Sequence, residues 1–140
     1  MNILRQNTDY ALRMMGNLAA HYDQGAVSVR VLAQDEEVSY QFACKILQKL
    51  HDAHLVESVM GPKGGYRLRR EPDQITMLDV VGAMQGELAV NRCTNSNDGC
   101  ARKVKCPLNG QLCELQQMVD NFMAGVTLQR LQKFKISESE

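Results

Sequence analysis

Residues 38–70, VSYQFACKILQKLHDAHLVESVMGPKGGYRLRR, constrain the fold most, because they place an amphipathic helix directly ahead of a tight hairpin. Val38, Phe42, Ala43, Ile46, Leu47, Leu50 and Ala53 fall on one helical stripe, with Gln41, Cys44, Lys45, Gln48 and Asp52 opposite. Ser39 is the natural N-cap of a helix running to about residue 54. Just before it, Ser28 caps a shorter helix through Ala33 and Gln34. Two helices joined by a short turn, the second with a polar outer face, match a helix-turn-helix. Leu55, Val56 and Val59 then give a strand, GPKGG a reversal, and Tyr66 and Leu68 alternate with Arg67 and Arg69 on a returning strand. A basic hairpin in that position is the wing of a winged helix.

The flanks extend this frame. Ala11, Met14, Met15, Leu18, Ala19 and Tyr22 predict a helix over 8–22, with Thr8 as N-cap and Asp9 in the first turn. Thr76 and Asp79 form a capping-box pattern that opens a helix to about Gln85. After Pro107 a long helix runs to about Met123, on which Leu108, Leu112, Leu115, Val119 and Phe122 step by 4, 3, 4 and 3. That is a coiled-coil seam, which needs a partner helix. Thr127 is read as the cap of a last short helix and KISESE as a frayed tail. The expected fold is mainly α with a small β-hairpin: a winged helix-turn-helix plus a long dimerisation helix. Residues 1–85 would form the DNA-binding domain, 86–107 a cysteine-bearing loop, and 108–140 the dimerisation helix and tail.

Composition narrows the class. Of 140 residues 44% are hydrophobic, enough for a packed core. No run approaches the roughly eighteen apolar residues of a transmembrane helix, and MNILRQNTDYALRMM does not read as a signal peptide. A cytoplasmic protein without membrane contact is expected. The formal net charge is zero, unlike many DNA binders, but residues 63–70 hold Lys63, Arg67, Arg69 and Arg70 and no acid. Lysine and arginine gain affinity for DNA by releasing counterions, and a helix in the major groove reads base edges through polar side chains. Ser28, Ser39, Tyr40, Gln41, Lys45 and Gln48 are therefore candidate DNA contacts, with Lys63, Arg67 and Arg69 around the backbone or minor groove. A charged stripe alone would ordinarily be solvated surface; the basic wing after the helix-turn-helix gives it meaning. An enzyme is not expected, since no Ser/His/Asp or Cys/His constellation, phosphate-binding loop or H-E-x-x-H pattern is present.

Cysteine placement carries the remaining chemistry. Cys93-x6-Cys100-x5-Cys106 puts three thiols on one polar segment, with Cys113 beyond and Cys44 alone on the reading helix. Thiolates are soft ligands that suit iron–sulfur clusters and zinc. The close cysteine pairs usual in structural zinc sites are absent, which favours iron–sulfur. Cys106 lies at a helix N-terminus, where the dipole steadies a thiolate, and Arg102, Lys103 and Lys105 add positive charge. Unligated thiols in a reducing compartment are the plain alternative. Cys113 follows Cys106 by two turns, about 10 Å along the axis, so it is a reserve ligand or a buried small hydrophobe. Cys44 is a redox-sensitive contact or an incidental exposed thiol. His21, His51 and His54 lie far from the loop in sequence.

From NTDYALRMM through the reading helix, the GPKGGYRL wing and ITMLDVVGAM to the three cysteines, the chain resembles the iron–sulfur winged-helix transcription regulators that include IscR, NsrR and RirA. The resemblance implies a homodimer on a pseudo-palindromic operator, with Cys93, Cys100 and Cys106 as cluster ligands. The IscR-like branch uses a histidine three residues after the third cysteine, where this chain has Asn109, a poor iron ligand. The NsrR-like branch takes an aspartate of a TD motif from the partner protomer, and Thr8-Asp9-Tyr10 matches, making Asp9 a candidate ligand as well as a first-turn carboxylate. A [4Fe–4S] cluster is thereby favoured over [2Fe–2S], and a repressor responding to nitric oxide is implied. The x6 gap is one residue longer than the IscR spacing. Sensing of cluster supply, iron or redox state on the same fold is the alternative, and a zinc-stabilised or electron-transfer protein that leaves DNA alone is a further one.

Overall fold

A computed structural model of the protein describes residues 2–94 and 106–132. Along the chain run α1 (Gln6–Ala20), α2 (Val29–Asp35), α3 (Tyr40–Asp52), β1 (Val56–Val59), β2 (Gly65–Leu68), α4 (Met77–Gln85) and α5 (Pro107–Gly125). The architecture is mostly helical with an antiparallel two-stranded hairpin, as the periodicities predict. Local chemistry sets most helix starts. The Ser28 hydroxyl accepts from the Val31 N–H at 3.2 Å and the Ser39 hydroxyl from the Phe42 N–H at 3.1 Å. The Thr76–Asp79 box closes in both directions, at 2.9 and 3.1 Å. Each such cap contributes about 1 kcal/mol.

Helix α1 departs from its expected start. Thr8 is not the N-cap; the helix opens at Gln6 behind Arg5, which supplies no side-chain cap. Thr8 is fully buried and its hydroxyl donates to Gln85 Oε1 at 2.7 Å. The same oxygen accepts the Arg5 N–H at 3.1 Å, and Gln85 Nε2 donates to the Ile3 carbonyl at 3.1 Å. The last residue of α4 thus ties down the chain entering α1 from across the fold.

The hairpin pairs Val56 with Leu68 and Val59 with Gly65. Val27 adds a bridge to its outer edge, its N–H and carbonyl each bonding Tyr66 at 2.9 Å. This approach requires Gly65, since a Cβ there would collide with the Val27 carbonyl. Met14, Met15 and Leu18 of α1, Ile46, Leu47 and Leu50 of α3, Val80 of α4, and Val56 and Leu68 of the hairpin bury together. Full burial of such side chains gives about 1.5–3 kcal/mol each. After α5 the chain returns to this core. Leu128 donates its N–H to the Ile75 carbonyl at 3.0 Å, Met77 donates to the Val126 carbonyl at 2.7 Å, and the Leu128 side chain is completely covered. A second cluster, Val81, Leu88 and Met123 with Val90 and Val119 alongside, fastens α5 to α4.

Candidate DNA interface and metal site

Tyr40, Gln41, Lys45 and Gln48 are exposed on α3, and Lys63 is exposed at the tip of the wing. Lys45 and Lys63 enter no ion pair among the described residues. Gln48 donates to Asp52 at 3.0 Å, while Ser28 and Ser39 serve as helix caps. The two wing arginines are engaged within the protein, a feature the sequence reading missed. Arg67 pairs with Glu57, its cross-strand neighbour, at 2.6 Å, and Arg69 Nη1 lies 2.9 Å from His54 Nδ1. Exposed pairs of this kind are worth about 1 kcal/mol or less, so a phosphate can compete for them. Burial pushes the Tyr66 phenol above its ordinary range, with Cys44, Tyr40 and Asp52 adding to the shift, so it stays neutral behind the reading helix. Cys44 is half-buried rather than openly exposed.

The cysteine region is fastened to α5 at both ends. Cys93, only 6% exposed, sits in a 3-10 turn at Arg92–Thr94. That turn is held by Gln116 on α5, a residue sequence reasoning overlooked. Gln116 Oε1 accepts the Val90 N–H at 2.7 Å and the Thr94 hydroxyl at 2.9 Å. Its Nε2 donates to the Leu88 carbonyl at 2.7 Å and to Asp120 at 3.0 Å. At the other end Cys106 is the N-cap of α5, half-buried, with no side-chain capping bond, and Pro107 follows in the first turn as expected. Cys100 lies outside the described residues, as do Arg102, Lys103 and Lys105. Cys113 is exposed, not a buried hydrophobe, and its thiol lies 3.8 Å from Asn109 Oδ1. Among the described residues Asn109 Nδ2 is buried without a hydrogen-bond partner. Asp9 is exposed and paired with Arg13 at 2.9 Å, which raises the guanidinium's affinity for its proton. Among the described residues no three His, Cys, Asp or Glu side chains gather as a metal site within one chain, so Asp9 is not brought together with Cys93 and Cys106 there.

Helix α5 carries two neighbouring stripes, and the predicted seam draws from both. Leu108, Leu115 and Phe122 are exposed, as is Met118, which continues their spacing. Leu112 and Val119 are partly covered, and Val119 packs on the protein's own second cluster beside Met123. The inner stripe, through Asn109, Leu112, Gln116, Val119 and Met123, is offset from the outer by one residue, about 100° on a helix. No helix of the described residues is long and apolar enough to cross a membrane.

Known proteins share this arrangement. The Rrf2 family model, described as an iron-dependent transcriptional regulator, matches residues 4–133. The HTH-type transcriptional regulator IscR of Aliivibrio salmonicida (strain LFI1238) is 30% identical over 122 residues, covering 87% of this chain and 72% of its own. Protein aau3 of Rhizobium meliloti (strain 1021) is 34% identical over 131 residues, covering 93% and 84%. Among solved structures, CymR, the global cysteine regulator of B. subtilis, superposes with a TM-score of 0.80 at 25% identity, covering 96% of this chain and 98% of that one. T. potens IscR shares the fold, with a TM-score of 0.76 at 23% identity over 94% and 87% of the two chains. The relatives that carry a functional description are transcriptional regulators, not enzymes. With the family model matching nearly the whole chain, the protein belongs to the Rrf2 family of winged-helix, DNA-binding transcriptional regulators.

Proposed function

We propose that the chain is a homodimeric repressor whose grip on operator DNA is governed by an iron–sulfur cluster bound to Cys93, Cys100 and Cys106, with nitric oxide as the signal. One observation supports this reading most: both ends of the cysteine segment are anchored on α5, Cys93 through Gln116 and Cys106 as the helix N-cap. Thiolate chemistry and the surroundings of the two described cysteines support the reading. Cys93 is withdrawn from solvent, and Cys106 meets the positive end of a helix dipole without a competing side-chain bond. A bound [4Fe–4S] cluster would supply iron that reacts with nitric oxide.

The other tasks fall to the chain itself. The outer stripe of α5, Leu108, Leu115, Met118 and Phe122, pairs with its copy in a second protomer. Leu112 and Val119 support that helix from within. Asp9 of the partner completes the ligand set after releasing Arg13, at a cost of about 1 kcal/mol or less for an exposed pair. The two α3 helices enter successive major grooves through Tyr40, Gln41, Lys45 and Gln48, with Ser28 and Ser39 near the backbone. Lys63, Arg67 and Arg69 neutralise flanking phosphates.

A second reading keeps the fold and changes the signal to iron, cluster supply or thiol redox state; the likeness to a protein described as a global cysteine regulator favours it. The test uses protein purified without air and an operator selected from random duplexes. Iron and sulfide should be present, and nitric oxide should weaken DNA binding at least about tenfold, a shift of about 1.4 kcal/mol. Equal affinity with and without the cluster would defeat the switch. A colourless zinc protein would defeat the cluster. A response to chelator or oxidant but not to nitric oxide would favour the second reading.

A further inference from the structure

We infer that His54, Arg69 and Arg70 form a phosphate-binding site at the foot of the wing, closed while His54 is neutral and opened when it takes a proton. This rests on the placing of Arg69 beside phosphates above and needs no metal centre.

The site begins with the backbone. Helix α3 ends in a turn in which the N–H groups of Ala53, His54 and Leu55 take the carbonyls of Lys49, His51 and Leu50 at 3.1, 2.9 and 3.0 Å. His54 occupies the left-handed position of that turn, with φ at 62°, where glycine is the ordinary choice. A bulky residue held there is strained, and strain of this kind collects at functional sites. The same turn captures the end of β2, since the Arg69 N–H bonds the Leu55 carbonyl at 3.1 Å. Ala53, His54, Arg69 and Arg70 then line one open pocket.

Chemistry sets the state of the imidazole. Arg69 Nη1 lies 2.9 Å from His54 Nδ1. A guanidinium only donates and keeps its charge, so Nδ1 is the acceptor and the ring is neutral, with its hydrogen on Nε2. A proton on Nδ1 turns that acceptor into a donor and sets two cations side by side. The pair then parts unless an anion stands between them, and phosphate oxygens accept from both. Arg70, which enters no ion pair among the described residues, adds a third charge. No carboxylate stands in the described lining. Asp52 accepts from Gln48 and lies 3.8 Å from His51 Nδ1, Glu57 is held by Arg67, and Glu71 lines a separate pocket with Asp23 and Asp73. Lys49 turns away to the Met84 carbonyl at 3.5 Å. The last carbonyls of α3 are taken by the turn and present no bare negative end to an anion. Histidine is the side chain whose charge ordinarily changes between about pH 5 and pH 8. Phosphate binding and proton uptake favour each other, so affinity rises as pH falls.

The phosphate can belong to the DNA backbone or be free in solution, and the experiment separates the two. Protein purified without air is titrated with a labelled duplex at about pH 6 and about pH 8, at constant ionic strength, and followed by fluorescence anisotropy. Backbone phosphodiesters keep their charge over this range, so the response belongs to the protein. The wild type should bind at least about fivefold more tightly at the lower pH. His54→Asn suits the left-handed backbone and cannot be charged, and it should hold the two affinities within about twofold, with His21 and His51 left in place as controls. Arg70→Gln should melt like the wild type and bind about threefold more weakly at the lower pH. In parallel, inorganic phosphate is added while the His54 imidazole resonance, identified by its loss in His54→Asn, is followed by NMR. A duplex response that needs His54 assigns the site to DNA. A duplex response indifferent to His54, with a phosphate-dependent shift of the His54 resonance that Arg69→Gln removes, assigns it to free phosphate. A duplex response indifferent to His54 and a resonance unmoved by phosphate overturn the inference. Loss of the nitric oxide response alone sinks the cluster reading and leaves this one standing.

Discussion

Helices α3 and α5 are both amphipathic, yet they resolve their apolar faces differently. On α3 the residues Ala43, Ile46, Leu47 and Leu50 are at most 2% exposed, and Ser39 caps its first turn. On α5 the outer stripe remains open, with Met118 and Phe122 each 65% exposed, and the N-cap Cys106 leaves its thiol without a capping bond. The DNA-reading half closes its apolar stripe within one chain, although Asn17 Oδ1 and His51 Nδ1 are buried there without hydrogen bonds. Among the described residues the outer stripe of α5 in the C-terminal half finds no apolar cover. A closed apolar face suits a rigid reader, and an open one suits an element whose state depends on what covers it.

Substitutions can break this contrast. The largest effect is expected for Leu47→Ala, which opens a cavity in the closed half and should lower unfolding free energy by about 2–5 kcal/mol in urea melts. Stability as high as wild type would mean that the half is not closed. Phe122→Glu should leave the monomer's thermal melting in place but weaken self-association about a hundredfold, about 2.7 kcal/mol, by sedimentation equilibrium. An undisturbed dimer would show that the outer stripe is ordinary surface. Gln116→Ala should act more locally, because it frees the Leu88 carbonyl and the Val90 N–H together. A loss of about 1–2 kcal/mol there should let a thiol reagent reach Cys93 roughly ten times faster, with little change in global melting.

Much of the reading half was legible because its determinants are local. Ser28, Ser39 and the Thr76–Asp79 pair announce helix starts a few residues ahead, and GPKGG announces a turn. What escaped is held by partners remote in sequence. Thr8 looks like a cap until Gln85, 77 residues away, is seen to take its hydroxyl. The bridge from Val27 to Tyr66 leaves no local mark, because two helices separate the partners in sequence. Gln116 has no periodic signature, since a polar residue on a helix ordinarily faces water. The seam over Leu108, Leu112, Leu115, Val119 and Phe122 was drawn from true apolar positions, but two stripes one residue apart cannot be separated by spacing alone. Burial separates them: Val119 faces inward and Met118 outward.

The return of the chain after α5 bears on how the molecule can transmit force. Leu128 is threaded into the same interior as Met14 and Leu47, and the backbone from Val126 to Leu128 is stitched to Ile75 and Met77. The long helix is therefore clamped along its C-terminal half, through Gln116, Val119, Met123 and the chain that follows. A twist of that half reaches the foot of α4, because the chain leaving the helix is bonded to Ile75 and Met77.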